Sequence, residues 1–351
     1  MLGGPRTTDG ASGGNNRRRA ALTRRPTKED PVPTAPVPGQ GAPVTGTGST
    51  VAHDSIAAGT GMDAVTLLVG DLDRQLRFYR DGLALSVLDT PADRLVGSPA
   101  DTVVLGRAGV PLVVLRHTPD LPPAQRGSAG LFHTAILFDD EAALAATLAS
   151  VAQREPGSFT GSADHLVSLA FYLTDPEGNG VELYWDRSRT LWQWDGDGHV
   201  RMDSLRLDPN GFLREHLTEQ GLALPDAGRA VVGHVHLQVG DVPSARAFYV
   251  DALGFDVTME WDSALFVSAG GYHHHLAMNT WGSAGAGPRA SSLGLGEVRI
   301  AVPTADDLGA LADRVRFAGV PVADDGDSLV FADPWRNVVR VAADTQVRPL
   351  V

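Results

Sequence analysis

An internal repeat constrains this chain more than any other feature. Residues 69–87, VGDLDRQLRFYRDGLALSV, and residues 239–257, VGDVPSARAFYVDALGFDV, agree at Val, Gly, Asp, Phe, Tyr, Asp, Leu and Val without a gap, at a constant offset of 170. Each copy follows a β-like stretch, AVTLLV or GHVHLQV, and precedes short apolar stretches broken by Gly and Asp. Asp71 and Asp241 stand just ahead of the helical stretches, where an N-cap belongs. A second pair, TDPEGNGVELYW (174–185) and ADPWRNVVRVAA (332–343), shares Asp-Pro, Asn and Val, a turn feeding a strand. Upstream of each lies a strand-then-helix pattern, at 131–153 and 296–318. The chain therefore reads as α+β, with four βαβββ modules near 63–116, 131–186, 231–280 and 296–343. Repeats of about 50 residues bury their faces against one another.

Composition narrows the function classes. The 351 residues contain no cysteine, which excludes disulfides, thiol catalysis and cysteine-held metals, so any metal here uses His, Asp, Glu or solvent. The net charge of −13 argues against nucleic acid as a partner, all the more because residues 1–30 carry seven basic side chains against three acids. No apolar run approaches the roughly 18 residues that span a bilayer, so no membrane partner is expected. The basic start lacks the apolar region of a signal peptide, and cytoplasmic residence is expected. Residues 1–61, rich in Gly, Pro, Thr and Ala, are expected to form a disordered tail. Residues 187–230, with Trp192 and Trp194, are expected to link the two halves and to pack over one of them.

The chemistry concentrates in histidines at strand starts. His133 opens FHTAILF, His234 and His236 open GHVHLQV, His165 lies in ADHLVSLAFY, and His273, His274 and His275 form a run in GGYHHHLAMN. Glu182 sits among apolar neighbours in GVELYW and needs water or a charge partner. Two His and one carboxylate are the minimal facial set for a non-haem Fe(II), although no local pair of these residues has a ligand spacing. A strand-start His alone more often caps or packs, and Tyr172 alone reads equally well as core.

The strings GHVHLQVGD, FYVDALGF, FVSAGGYHHHLAMNTW and DPEGNGVELYW resemble the vicinal oxygen chelate superfamily, and within it the extradiol catechol 2,3-dioxygenases. The resemblance covers about residues 62–343. FYxDxL is general to the superfamily, whereas AGGYHHH together with DPxGNGxEL is much more specific. The resemblance implies two curved-sheet barrels, a first domain at 62–186 holding modules one and two, and a second at 231–351 holding three and four. It assigns the metal to His133, Glu182 and His234, acid–base work to His274, and substrate contacts to Tyr172, ten residues before Glu182, and to His165. It implies Fe(II), with Mn(II) as the alternative, and a catecholic substrate with O2. His236 is read as lining or structure, and His273 and His275 as pointing away from His274 on the alternate face.

In the repeat alignment the counterparts of His234, His133 and Glu182 are Ala64, Glu297 and Arg340. Modules one and four therefore lack the triad, and modules two and three are expected to pair around the metal, with one and four as a metal-free companion. Other readings of the same fold are a metal-dependent glyoxalase-like isomerase or lyase, and a non-catalytic protein that sequesters a small molecule such as an antibiotic. A homo-oligomer is compatible with the sequence, which carries no interface signature.

Overall fold

The computed structural model describes residues 55–89, 101–196 and 198–344. The expected tail thus lies, up to residue 54, outside the described residues. Structure is already present at Ile56, which is buried and whose amide donates to Gly254 O.

Each module runs strand, helix, three strands. The first comprises β1 (Gly61–Val69), α1 (Leu72–Leu76) continuing into a π-helical turn (Arg77–Gly82), β2 (Ser86–Val87), β3 (Thr102–Arg107) and β4 (Val110–His117). The second comprises β5 (Gly130–Phe138), α2 (Glu141–Arg154), β6 (Phe159–Asp164), β7 (Ser168–Thr174) and β8 (Gly180–Asp186). The connector adds β9 (Leu205–Arg206), α3 (Pro209–His216) and α4 (Glu219–Ala223). The third module comprises β10 (Ala230–Gln238), α5 (Val242–Arg246) with its π-helical turn (Ala247–Ala252), β11 (Asp256–Trp261), β12 (Ala264–Ser268) and β13 (Leu276–Asn279). The fourth comprises β14 (Gly294–Val302), α6 (Ala305–Phe317), β15 (Ala323–Asp324), β16 (Ser328–Ala332) and β17 (Val338–Ala343). Asp71 and Asp241 accept from Arg74 N and Ser244 N and so cap α1 and α5, as their place in the repeat predicts.

Two sheets result, ordered β15-β16-β17-β14-β1-β4-β3-β2 and β11-β12-β13-β10-β5-β8-β7-β6-β9. The first joins modules one and four and the second joins two and three, the pairing that the complementary residues require. At the middle of each, two modules meet through antiparallel first strands, β1 with β14 and β10 with β5. Within every module the first strand runs parallel to the last. The sheets are open rather than closed barrels: among the described strands, β15 and β2 end one, and β11 and β9 end the other. The halves 62–186 and 231–344 consequently share both sheets.

The repeated motifs explain how the sheets are held. Asp175 accepts from the amides of Glu177 and Asn179 and from Asn179 Nδ2, and Asp333 does the same for Trp335 and Asn337. The repeated Tyr79 and Tyr249 donate to these turns, Tyr79 to Asp175 at 3.1 Å and Tyr249 to Asp333 at 3.0 Å. Each bond ties a module to the next one along the chain, which lies in the other sheet. The turns differ at one point: Gly178, with φ of 90°, is matched by Arg336, with φ of 65°, a region that disfavours any side chain.

One continuous apolar core, from Val65 and Phe78 through Leu144 and Phe171 to Val235, Phe248, Val298 and Leu311, fills the space around the sheets. Each such side chain contributes about 1.5–3 kcal/mol on burial. The connector is more structured than its composition suggests. Helices α3 and α4 lie against α2, Phe212 packs 4.9 Å from Phe171, and Trp192 is buried with its Nε1 donating to Arg187 O. Arg107, at the end of β3 and fully buried, reaches across to donate to Thr147 Oγ1, Pro225 O, Ala227 O and Gly228 O, stacking 5.0 Å over Phe138. Burial lowers its pKa to about 10, so it stays charged at neutral pH. No helix among the described residues is long and apolar enough to cross a membrane.

Candidate metal centre

The middle of the second sheet concentrates chemistry because three strands there share one face. In the β10–β5 ladder His234 lies opposite Ala135, and His236 opposite His133. Parallel to β5, β8 sets Glu182 beside Ala135. His133 is two residues before Ala135, so the side chains of His133, Glu182 and His234 project from the same face. A shift in the β10 register between Val232 and His234 leaves Gly233 where the Tyr184 hydroxyl closes in. An added Cβ would meet that oxygen at 1.7 Å, so only glycine lets β10 carry His234 to this place.

His133 Nε2 stands 3.0 Å from Glu182 Oε2, His234 Nε2 stands 3.3 Å from the same oxygen, and the two imidazole nitrogens are 3.3 Å apart. Among the described residues this is the one group of three or more His, Asp or Glu whose donor atoms converge within 4.8 Å. Adjacent corners of a coordination octahedron with bonds of about 2.1 Å lie about 3.0 Å apart, so the donors fit a facial set around one divalent cation. All three residues are buried, with Glu182 only 3% exposed. Burial alone would push the Glu182 carboxyl up, but the His234 and His133 imidazoles hold it well below the usual carboxylate range. Burial lowers the His234 pKa to about 4, so its nitrogen is free to bind a cation at neutral pH. A buried anion facing imidazoles, with no Lys or Arg bonded to it among the described residues, is a donor set suited to a cation.

The remaining candidates border this cage. The His274 ring centroid is 4.1 Å from that of His234, and burial among neighbouring imidazoles depresses its pKa well below the ordinary histidine value. Tyr172 pairs with Glu182 across the β7–β8 ladder, and its ring lies 5.8 Å from His133. Its hydroxyl is 2.6 Å from His165 Nε2, while His165 Nδ1 lies 2.7 Å from Asp203 O. The carbonyl requires Nδ1–H, so His165 Nε2 accepts and Tyr172 donates. His236 bonds Asn279 through Nε2 at 2.9 Å and packs in a group of rings with Phe132, Phe266 and Trp281, centroids 4.9–5.8 Å away.

One expectation is corrected here. His273 and His274 do not point apart, because residues 271–275 form a turn ahead of β13 and the strand alternation does not apply. His273 Nδ1 instead lies 2.7 Å from His274 Nδ1. His275 faces elsewhere, its Nδ1 against Ser268 Oγ and Ala269 N.

The model of the Glyoxalase/Bleomycin resistance protein/Dioxygenase superfamily matches residues 61–183 and 231–341. The chain belongs to this superfamily. Over 286 residues it is 37% identical to Catechol-2,3-dioxygenase of Bacillus subtilis (strain 168), which covers 80% of this chain and 96% of that protein. Among solved structures, the cppA protein from Streptococcus pneumoniae TIGR4 superposes with a TM-score of 0.52 at 12% identity, over 83% of this chain and 100% of that one, a likeness of fold alone. Within this superfamily member, sequence reasoning passed over Asp186, Tyr272 and Asn279, all buried beside the cage. A signal for Asp186 was present: in ELYWD, Glu182, Tyr184 and Asp186 alternate onto one strand face.

Proposed function

We propose that this chain is an extradiol ring-cleaving dioxygenase acting on catechol or a substituted catechol. The observation that carries the reading is the convergence of two imidazoles and one carboxylate beside a wall of aromatic rings. The similarity to the Bacillus subtilis relative supports it. His133, His234 and Glu182 would hold Fe(II), with Mn(II) as the alternative, and the bound ion supplies the redox-active Lewis acid that lets a catechol react with O2.

The chain's own residues do the rest. His274 takes a proton from a catechol hydroxyl and later returns it. Tyr172 donates its hydroxyl hydrogen bond to His165, and its oxygen keeps lone pairs to accept from a second substrate hydroxyl. Phe132, Trp281, Phe266 and His236 present flat faces suited to a planar ring and keep water away from it. The ring opens beside its two hydroxyls rather than between them, giving a coloured semialdehyde.

Anaerobic loading with Fe(II), followed by catechol and air, tests the reading. Yellow product with matched O2 consumption is expected. One bound metal with no O2 uptake on catechol or its substituted forms would overturn it in favour of an isomerase or lyase, and failure to bind metal would favour a small-molecule binder.

A further inference from the structure

A polar chain behind the cage takes no part in the chemistry above. Asp186 Oδ2 accepts from Tyr272 Oη at 2.7 Å, and its Oδ1 lies 3.0 Å from His273 Nε2. Tyr184 Oη is 2.8 Å from Tyr272 Oη, and because the Tyr272 proton goes to Asp186, Tyr184 is the donor there. On the far side His273 meets His274 through their Nδ1 atoms at 2.7 Å. His273 is 1% exposed and held between the rings of Tyr272 and Trp192, centroids 4.1 and 5.3 Å away, so it has no room to turn.

We propose that Asp186 and His273 are positioning residues that lock His274 in one tautomer, with its proton on Nδ1 and the lone pair of Nε2 facing the substrate. A carboxylate only accepts, so His273 carries its proton on Nε2. Its Nδ1 is then an acceptor, and His274 must donate to it from Nδ1. His274 Nε2 is left unprotonated, the form a base needs. On taking a substrate proton at Nε2, His274 becomes an imidazolium that keeps its Nδ1–H bond to His273. An asparagine at 186 would reverse the order. Its amide donates to His273 Nε2, the His273 proton moves to Nδ1, and His274 then holds its proton on Nε2, where it blocks abstraction.

The inference rests on the dioxygenase reading only for the identity of the proton donor, so its test begins without substrate. Long-range 15N–1H spectra of 15N-histidine-labelled, Zn(II)-loaded protein report each tautomer, with His274 assigned by its loss in His274→Gln. The wild type is expected to show His274 protonated at Nδ1, and Asp186→Asn to show it at Nε2. With Fe(II), Asp186→Asn should keep its metal and its KM within about twofold while kcat falls by about 10²–10⁴. A wild-type His274 protonated at Nε2, or an unchanged tautomer in Asp186→Asn, overturns the proposal. Should Asp186→Asn fail to fold, His273→Phe carries the test: with its acceptor gone, His274 should populate both tautomers, and a single Nδ1–H form would overturn the idea. A wild-type protein that binds Fe(II) but leaves catechol intact would refute the dioxygenase reading, and the tautomer spectra would still decide this one.

Discussion

The two sheets share a frame and differ in what the frame holds. In the second, β8 sets Glu182 beside Ala135, with His133 two residues earlier on β5. In the first, β17 sets Arg340 beside Arg299, with Glu297 two residues earlier on β14. Where the second sheet has Gly233 and His234, the first has Asp63 and Ala64. Arg340 Nε bonds Glu297 Oε2 at 3.1 Å and Ser328 through Nη1, and Arg299 Nε reaches Asp63 at 3.2 Å. Two guanidiniums thus answer two carboxylates and the first sheet neutralises itself. At the matching positions the second sets the Glu182 carboxylate between two imidazoles, with no guanidinium bonded to it among the described residues. The same strand order serves both, and the side chains set on it distinguish the sheet with the candidate metal cluster from the sheet without one.

The largest effect separates the sheets outright. Glu182→Ala should abolish stoichiometric metal, whereas Glu297→Ala should leave metal content per chain unchanged, and metal loss in the second variant would break the comparison. Arg107→Met should cost about 3 kcal/mol in denaturant unfolding, because three carbonyls lose their donor and the end of the connector loses its anchor on β3. Arg340→Ala should cost about 2 kcal/mol by leaving a partly buried Glu297 with only the longer 3.8 Å contact to Arg299, again without touching metal content. The smallest effect compares the matching turns: Gly178→Ala should destabilise by about 1 kcal/mol, and Arg336→Gly should stabilise by less than that, both read from unfolding midpoints.

Much of this was legible in the chain itself. The repeat located the helix caps at Asp71 and Asp241 and the turns at Asp175 and Asp333, because capping and Asx-type bonding are local and need particular side chains. The pairing of modules followed from Ala64, Glu297 and Arg340, which cannot reproduce a His, His, Glu set. Two features escaped for physical reasons. The orientation of His273 depends on a turn in which Gly270 and Gly271 have φ of 61° and 71°, and strand alternation fails there. Whether the sheets close depends on edge strands as short as β2, β9 and β15, each two residues long, too brief to leave a periodic signal.

The crossing of halves between sheets has a consequence for what either half could do on its own. Modules one and two, taken alone, would leave β1 and β5 as bare edges at what is now the middle of each sheet, and modules three and four would leave β14 and β10. Such edges, long and apolar, invite pairing with another copy. In the single chain residues 187–230 join the two halves, so that β1 finds β14 and β5 finds β10 at the high local concentration a tether provides. Because the two joined halves differ in sequence, the two sheets can differ as well: one holds His133, Glu182 and His234 and the other pairs Arg340 with Glu297, an asymmetry closed to a symmetric pair of identical chains.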